Sequence, residues 1–180
     1  RTDVGKKATK AVRASAGIPC VLYGSKEVIH FQTTESELRH LVFTGDFKVA
    51  ELDIEGKKVR SILKAIQFHP VKDNIVHVDF LELVAGQAVK LEIPLKPKGS
   101  SPGVKLGGKL IQSVRKVKVK TTPEKMVDEL FVDISGLELG QSLRIKDIIA
   151  VDGIDIQQNA SIPVVSIEIP RALRSAAAKE

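Results

Sequence analysis

Tryptophan is absent from this chain, and aromatic residues make up only 4% of its 180 positions. A core built around large rings is therefore excluded, and packing must come from Val, Ile and Leu, whose β-branched members favour strands. A single cysteine, Cys20, rules out an intrachain disulfide and fits a reducing compartment. No apolar run approaches the roughly 20 residues of a membrane-spanning helix. Arg1 opens a polar, basic segment with no apolar stretch of the signal-peptide kind, so the sequence reads as that of a cytosolic protein without a membrane partner.

Other absences concern chemistry. The four histidines, His30, His40, His69 and His77, show no H-x-x-x-H spacing and have no cysteine pair beside them, so no metal site is expected. There is no G-x-S-x-G elbow. The glycine-rich run GSSPGVKLGG lacks the Lys-Ser/Thr ending of a phosphate loop and reads as a mobile surface loop. Cys20 sits in an apolar strand and reads as a buried, inert thiol. No nucleophile, cofactor or catalytic residue is expected.

What is present is positive charge in two places. The chain carries a net charge of +6 and a pI near 9.4. Residues 1–26 hold Arg1, Lys6, Lys7, Lys10, Arg13 and Lys26 against Asp3 alone. Residues 105–125 hold Lys105, Lys109, Arg115, Lys116, Lys118, Lys120 and Lys125 against Glu124. Two basic patches on an otherwise acidic chain suit an anionic partner, although lysine-rich runs also serve as plain solvated surface.

Hydropathy alternates at period two through most of the chain, with turn residues between the runs. GIPCVLYG at 17–24 and VIHFQ at 28–32 read as strands. Residues 6–16 read as a short helix or a basic loop. Thr34-x-x-Glu37 is a capping box ahead of Leu38, Leu41 and Val42 at helical spacing. Residues 47–70 read as a hairpin turning at Glu55-Gly56-Lys57, its second strand central and ended by Pro70. IVHVDFL at 75–81 is the last strand of this half, with Val76, Val78 and Phe80 expected on one face and His77 and Asp79 on the other. The pattern breaks near residue 87. Beyond it, KVKVK places Val117 and Val119 inward and Lys116, Lys118 and Lys120 outward. The fold class is thus mainly β: a barrel-like domain with short helices over 1–87, a second all-β domain over 88–170, and a polar tail over 171–180 that reads as frayed helix or flexible chain.

The His77–Asp79 pair leaves several readings open: an acid/base dyad, half a metal site, a structural pair bonded to itself, or part of a recognition surface. An RNA surface needs cations for phosphates, a ring for stacking and polar groups for base edges or ribose hydroxyls. The first half offers Lys6, Lys7, Lys10 and Arg13, the lone tyrosine Tyr23, and Gln67, His77 and Asp79. A carboxylate repels phosphate, so within a basic face it suits readout rather than attraction.

GKKATKAVRASAGIPCVLYG at 5–24, AIQFHP at 65–70 and IVHVDF at 75–80 resemble the bacterial large-subunit ribosomal protein that binds 5S rRNA, in its longer two-domain general stress (CTC-type) form. GVKLGG at 103–108 and ELFVDISGLELGQSLRIKDI at 129–148 resemble the extra C-terminal domain of that form. The resemblance implies a six-stranded N-terminal barrel similar to the anticodon-binding barrels of a tRNA synthetase. It implies a structural role in the large ribosomal subunit, with docking on the loop E region of 5S rRNA through its widened minor groove. It implies an RNA-contact set of Arg1, Lys6, Thr9, Lys10, Arg13, Tyr23, Gln67, His77 and Asp79. Apart from the resemblance, the Lys116, Lys118 and Lys120 face of the second half is left with three readings: a second contact to RNA, a contact to a neighbouring ribosomal protein, or plain solvent. The chain departs from the family pattern at Lys7 (for Gly), Thr9 (for Ser), and Lys10 and Ala11 (for two Arg). Lys10 keeps the charge but loses the bidentate fork, and Ala11 loses a cation, so a weaker phosphate grip is expected. A rival expectation is a stress-induced RNA-binding accessory factor not permanently part of the ribosome. Others are an enzyme using His77 and Asp79, and a protein-interaction module in the second domain.

Overall fold

Runs rich in Val, Ile and Leu, broken by glycine, proline and asparagine turns, form twelve strands in the computed structural model, which describes residues 3–24 and 27–170. Arg1, Lys26 and the tail 171–180 lie outside the described residues. The chain divides into two compact units. The first runs to Val89 and includes Thr122–Glu124; the second comprises Lys90–Thr121 and the chain from Lys125. Strands dominate and the helices are short, so the class is mainly β, with sheets curled into half-barrels.

The first unit holds strands β1 (Ile18–Tyr23), β2 (Ile29–Thr33), β3 (Val49–Ile54), β4 (Lys57–Phe68) and β5 (Ile75–Glu82). They form one sheet in the order β2-β1-β5-β4-β3, parallel only between β1 and β5. The six strands expected from the resemblance are therefore five among the described residues, with β2 and β3 at the edges. β4 is interior, as its two apolar faces require. The inner face packs Ile18, Cys20 and Leu22 of β1 against Ile75, Val78 and Phe80 of β5. Helix α2 (Glu35–Val42) adds Leu38 to that core. It starts at the expected capping box, where the Glu37 carboxylate accepts from the Thr34 amide (3.1 Å) and from the Thr33 hydroxyl. These bonds hold the Glu37 carboxyl below its usual range.

The segment before β1 is a helix, α1 (Lys6–Ala14), not a loop. Ala8, Thr9 and Val12 are half-buried, while Lys6, Lys10 and Arg13 recur at i, i+4 and i+7 along one exposed stripe.

The expected phase of β5 fails at one residue. Register shifts between Gln67 and Phe68, so that Gln67 opposes His77 while Phe68 opposes Ile75. Val76 is the extra residue of a β-bulge. Ile75 takes the core position (4% exposed), and Val76 does not share the buried face of Val78 and Phe80.

The second unit contains β6 (Val89–Lys98), β7 (Lys109–Gln112), β8 (Lys116–Thr121), β9 (Leu130–Asp133), β10 (Ser142–Arg144), β11 (Ile154–Ile156) and β12 (Pro163–Glu168). They form a four-stranded sheet, β11-β8-β6-β9, and a three-stranded one, β10-β12-β7. The glycine-rich run is not a mobile loop. It holds a short helical turn, α3 (Pro102–Lys105), capped by the buried Ser101, whose hydroxyl donates to the Leu137 carbonyl (2.5 Å). A Cβ on Gly108 would come within 2.4 Å of Ile167 and 2.6 Å of Leu139, so glycine here permits close packing rather than motion.

Candidate nucleic-acid interface

Strand pairing assembles the outward face of the first sheet from residues far apart in sequence. His77 and Asp79, two apart on β5, share that face. Gln67 lies directly opposite His77, and Ala65 opposite Asp79, on β4. Val21 is the register partner of Asp79 on β1, which puts Tyr23, two residues on, over the same face beside Leu81. Small or apolar Val21 and Ala65 thus flank the Asp79 carboxylate on both sides.

His77 Nδ1 approaches Asp79 Oδ1 to 2.7 Å. Nδ1 is buried yet has no hydrogen bond of acceptable angle, so this approach is a bent polar contact rather than a linear bond. The two side chains remain 26% and 29% exposed, enough for each to reach a partner above the sheet. The two side chains thus lie side by side without the hydrogen bond that the structural-pair reading expects, and both remain accessible from the face. Burial, and then the Asp79 charge, raise the Tyr23 phenol above its usual value, so at neutral pH it is a neutral hydroxyl next to a carboxylate. The same two causes push the Cys20 thiol on the inner face up to about 12. Buried and protonated, it is the inert cysteine expected.

The bulge ties helix α1 to this face. Arg13 Nε donates to the carbonyl of Val76 (3.1 Å), the residue that the bulge leaves without a register partner on β4. The exposed stripe of Lys6, Lys10 and Arg13 therefore ends at the backbone beside His77. Helix α1 also packs against β1. Thr9 is half-buried, and its hydroxyl donates to the Gly5 carbonyl (2.7 Å). Of the sequence-predicted set, Tyr23, Gln67, His77 and Asp79 converge on the sheet face, and Lys6, Thr9, Lys10 and Arg13 lie on the adjoining helix. Arg1 lies outside the described residues.

Sequence reasoning missed two members of the same face. His30 opposes Val21, and Gln32 opposes Pro19, on edge strand β2. Both are exposed. The alternation in VIHFQ marks them as outward, but only the β1–β5 pairing brings them to the same side as Asp79.

His69, two residues after Gln67, has a structural role: its Nδ1 accepts the amides of Val71 (3.2 Å) and Lys72 (3.3 Å), closing the turn after β4. Among the described residues no group of three or more His, Cys, Asp or Glu side chains converges as a metal site would require. In the second unit, Lys116, Lys118 and Lys120 alternate outward along β8, as expected. Lys118 lies 3.9 Å from Glu92, and Lys120 opposes Asp155 on β11, so that face carries both signs of charge.

Comparison with known proteins accounts for both units. The Ribosomal L25p family model matches residues 1–80, and the model described as Ribosomal protein TL5, C-terminal domain, matches residues 88–171. A Bacteroides thetaiotaomicron protein named large ribosomal subunit protein bL25 is 42% identical over 178 residues, covering 99% of this chain and 90% of its own length. The protein of the same name in Cytophaga hutchinsonii is 40% identical over 183 residues, covering 100% and 95%. That of Porphyromonas gingivalis is 37% identical over 182 residues, covering 100% and 94%. With an L25p domain followed by a TL5-type C-terminal domain, and relatives aligned along its whole length, the chain belongs to the bL25 family of bacterial large-subunit ribosomal proteins.

Proposed function

We propose that this protein is a structural, non-enzymatic component of the large ribosomal subunit on the cytoplasmic ribosome, and that its first domain, residues 1–87, binds the loop E region of 5S rRNA. Membership of the bL25 family supports the subunit role. Relatives carrying the subunit protein's name along the full chain favour it over a stress-induced accessory factor. The observation that carries the RNA reading is the meeting of two surfaces at Val76: the cationic stripe of α1 and the polar sheet face of Tyr23, Gln67, His77 and Asp79.

The two surfaces divide the work. Lys6, Lys10 and Arg13 neutralise phosphates and release counterions, which supplies affinity without sequence preference. His77 and Asp79 offer a donor and an acceptor that repeat poorly over a regular duplex, and the Tyr23 hydroxyl can donate to a ribose or base oxygen. An irregular helix with an opened minor groove exposes the base edges and 2′-hydroxyls such a face needs. Thr9 lies on the helix beside these cations, and Arg1 extends the basic segment.

In the second domain, residues 88–170, the β8 face of Lys116, Lys118 and Lys120 is a second contact to the subunit. Its interleaved Glu92 and Asp155 suit a neighbouring ribosomal protein of mixed charge better than bare phosphate.

The test is binding of the full chain to 5S rRNA and to 5S rRNA with loop E replaced by regular base pairs. Binding weakened at least tenfold by the replacement supports the reading. Equal binding to both overturns it.

A further inference from the structure

Two imidazole and carboxamide pairs stand on the outward face of the first sheet. Gln67 and His77 oppose one another across β4 and β5. His30 and Gln32 lie two apart on the edge strand β2. Between them runs β1, whose outward residues here are the buried Pro19 and the half-buried Val21. Strands lie about 4.8 Å apart, so His30 stands roughly 10 Å across the face from Asp79, along the row His30–Val21–Asp79. The result is an apolar strip with polar groups along both long sides and Tyr23 toward one end.

We infer that His30 and Gln32 on β2 form the second wall of the RNA-binding face and contact the ribose hydroxyls or base edges of the RNA strand opposite the one read by His77 and Asp79. This inference rests on the RNA-binding reading above and deepens it. Three features of the fold support it. First, β2 is held in one orientation, because Phe31, between the two residues, points inward and packs on Phe80 with ring centroids 5.7 Å apart. Second, both side chains are exposed on this face, where a bound strand could reach them. Third, their side chains combine donors and acceptors at a place where lysine or arginine would suit simple phosphate attraction. A carboxamide carries two donors and an acceptor, and a neutral imidazole one of each, which matches 2′-hydroxyls and base edges. The two polar rows lie on opposite sides of β1, so a duplex laid along the strip presents a different strand to each.

The experiment measures binding of the full chain to 5S rRNA by fluorescence anisotropy across a salt series, for wild type, His30→Ala/Gln32→Ala, Gln32→Glu and Asp79→Ala. Each protein is also tested on the RNA with loop E made regular. Thermal melts check that the variants are folded, and the exposed Gln32→Glu change provides a second variant that leaves the strand intact. The expected result is a loss of about tenfold for His30→Ala/Gln32→Ala on native RNA with an unchanged salt slope, and little loss on regular RNA. Gln32→Glu, which replaces two donors by a carboxylate, should lose at least as much. If Asp79→Ala loses affinity while both β2 variants bind like wild type, the edge strand lies outside the footprint and this inference is wrong, though the RNA reading stands. If wild type itself does not distinguish the two RNAs, the RNA reading fails and the second wall fails with it.

Discussion

Nδ1 of His77 lies 2.7 Å from Oδ1 of Asp79, with both side chains on the outward face of β5 and both still partly exposed. The bent contact orients two groups of opposite hydrogen-bonding character without consuming either. Asp79→Ala and His77→Ala should each cost about 1–3 kcal/mol of binding to native 5S rRNA, with the salt slope unchanged. Titrations at several ionic strengths check this. A loss confined to low salt would assign the pair to general electrostatics.

The α1 stripe should behave in the opposite way. Lys6→Ala and Lys10→Ala each remove one phosphate contact, so each should reduce the slope of log affinity against log salt by roughly one unit. The loss should be equal on native and regularised RNA. Arg13→Lys keeps the charge but alters the donor that meets the Val76 carbonyl, so it should weaken binding while the slope holds.

Tyr23 is the only tyrosine, and the chain has no tryptophan, so an ultraviolet titration reads this one phenol. Its pKa should stand above the usual value of 10.0, chiefly from burial and then from the Asp79 charge. Asp79→Asn should bring it partway down, because burial remains. The folded pKa is the higher one, so this group's contribution to stability is complete below pH 10 and declines as pH rises through the folded value. A phenol that titrates identically in both proteins would separate Tyr23 from Asp79.

Gly24 follows Tyr23 at φ +123°, and a Cβ there would lie 2.9 Å from Leu81 Cδ1 and 3.0 Å from the Glu82 carbonyl oxygen. The Tyr-Gly pair therefore joins a face residue to the close approach of β1 and β5. Gly24→Ala should lower unfolding stability by about 1–3 kcal/mol. Gly45→Ala, with open space around it and no left-handed backbone, should be near neutral. Denaturant melts of the two variants provide the comparison.

Local signals carried much of this architecture. Thr34 and Glu37 announced the start of α2, KVKVK announced the alternation of β8, and the apolar setting of Cys20 announced its burial. What stayed hidden depends on pairing between distant residues. Val76 fits the period-two pattern of β5, and nothing near it marks the register shift that lets Ile75 take its place in the core. The parallel pairing of Val21 with Asp79 joins strands separated by β2, α2, β3 and β4, so the placement of His30 and Gln32 beside the site could not be read from their own segment. The glycine run at 99–108 looked mobile because composition reports what the backbone is able to do, not what packs against it.

The most direct test of the account is a double-mutant cycle between Asp79→Ala and a loop E replacement in 5S rRNA. Direct contact predicts a coupling energy of about 1 kcal/mol or more, since the second change finds little left to remove. Losses that add to within about 0.3–0.5 kcal/mol would show that Asp79 and loop E act independently, and would contradict the central claim.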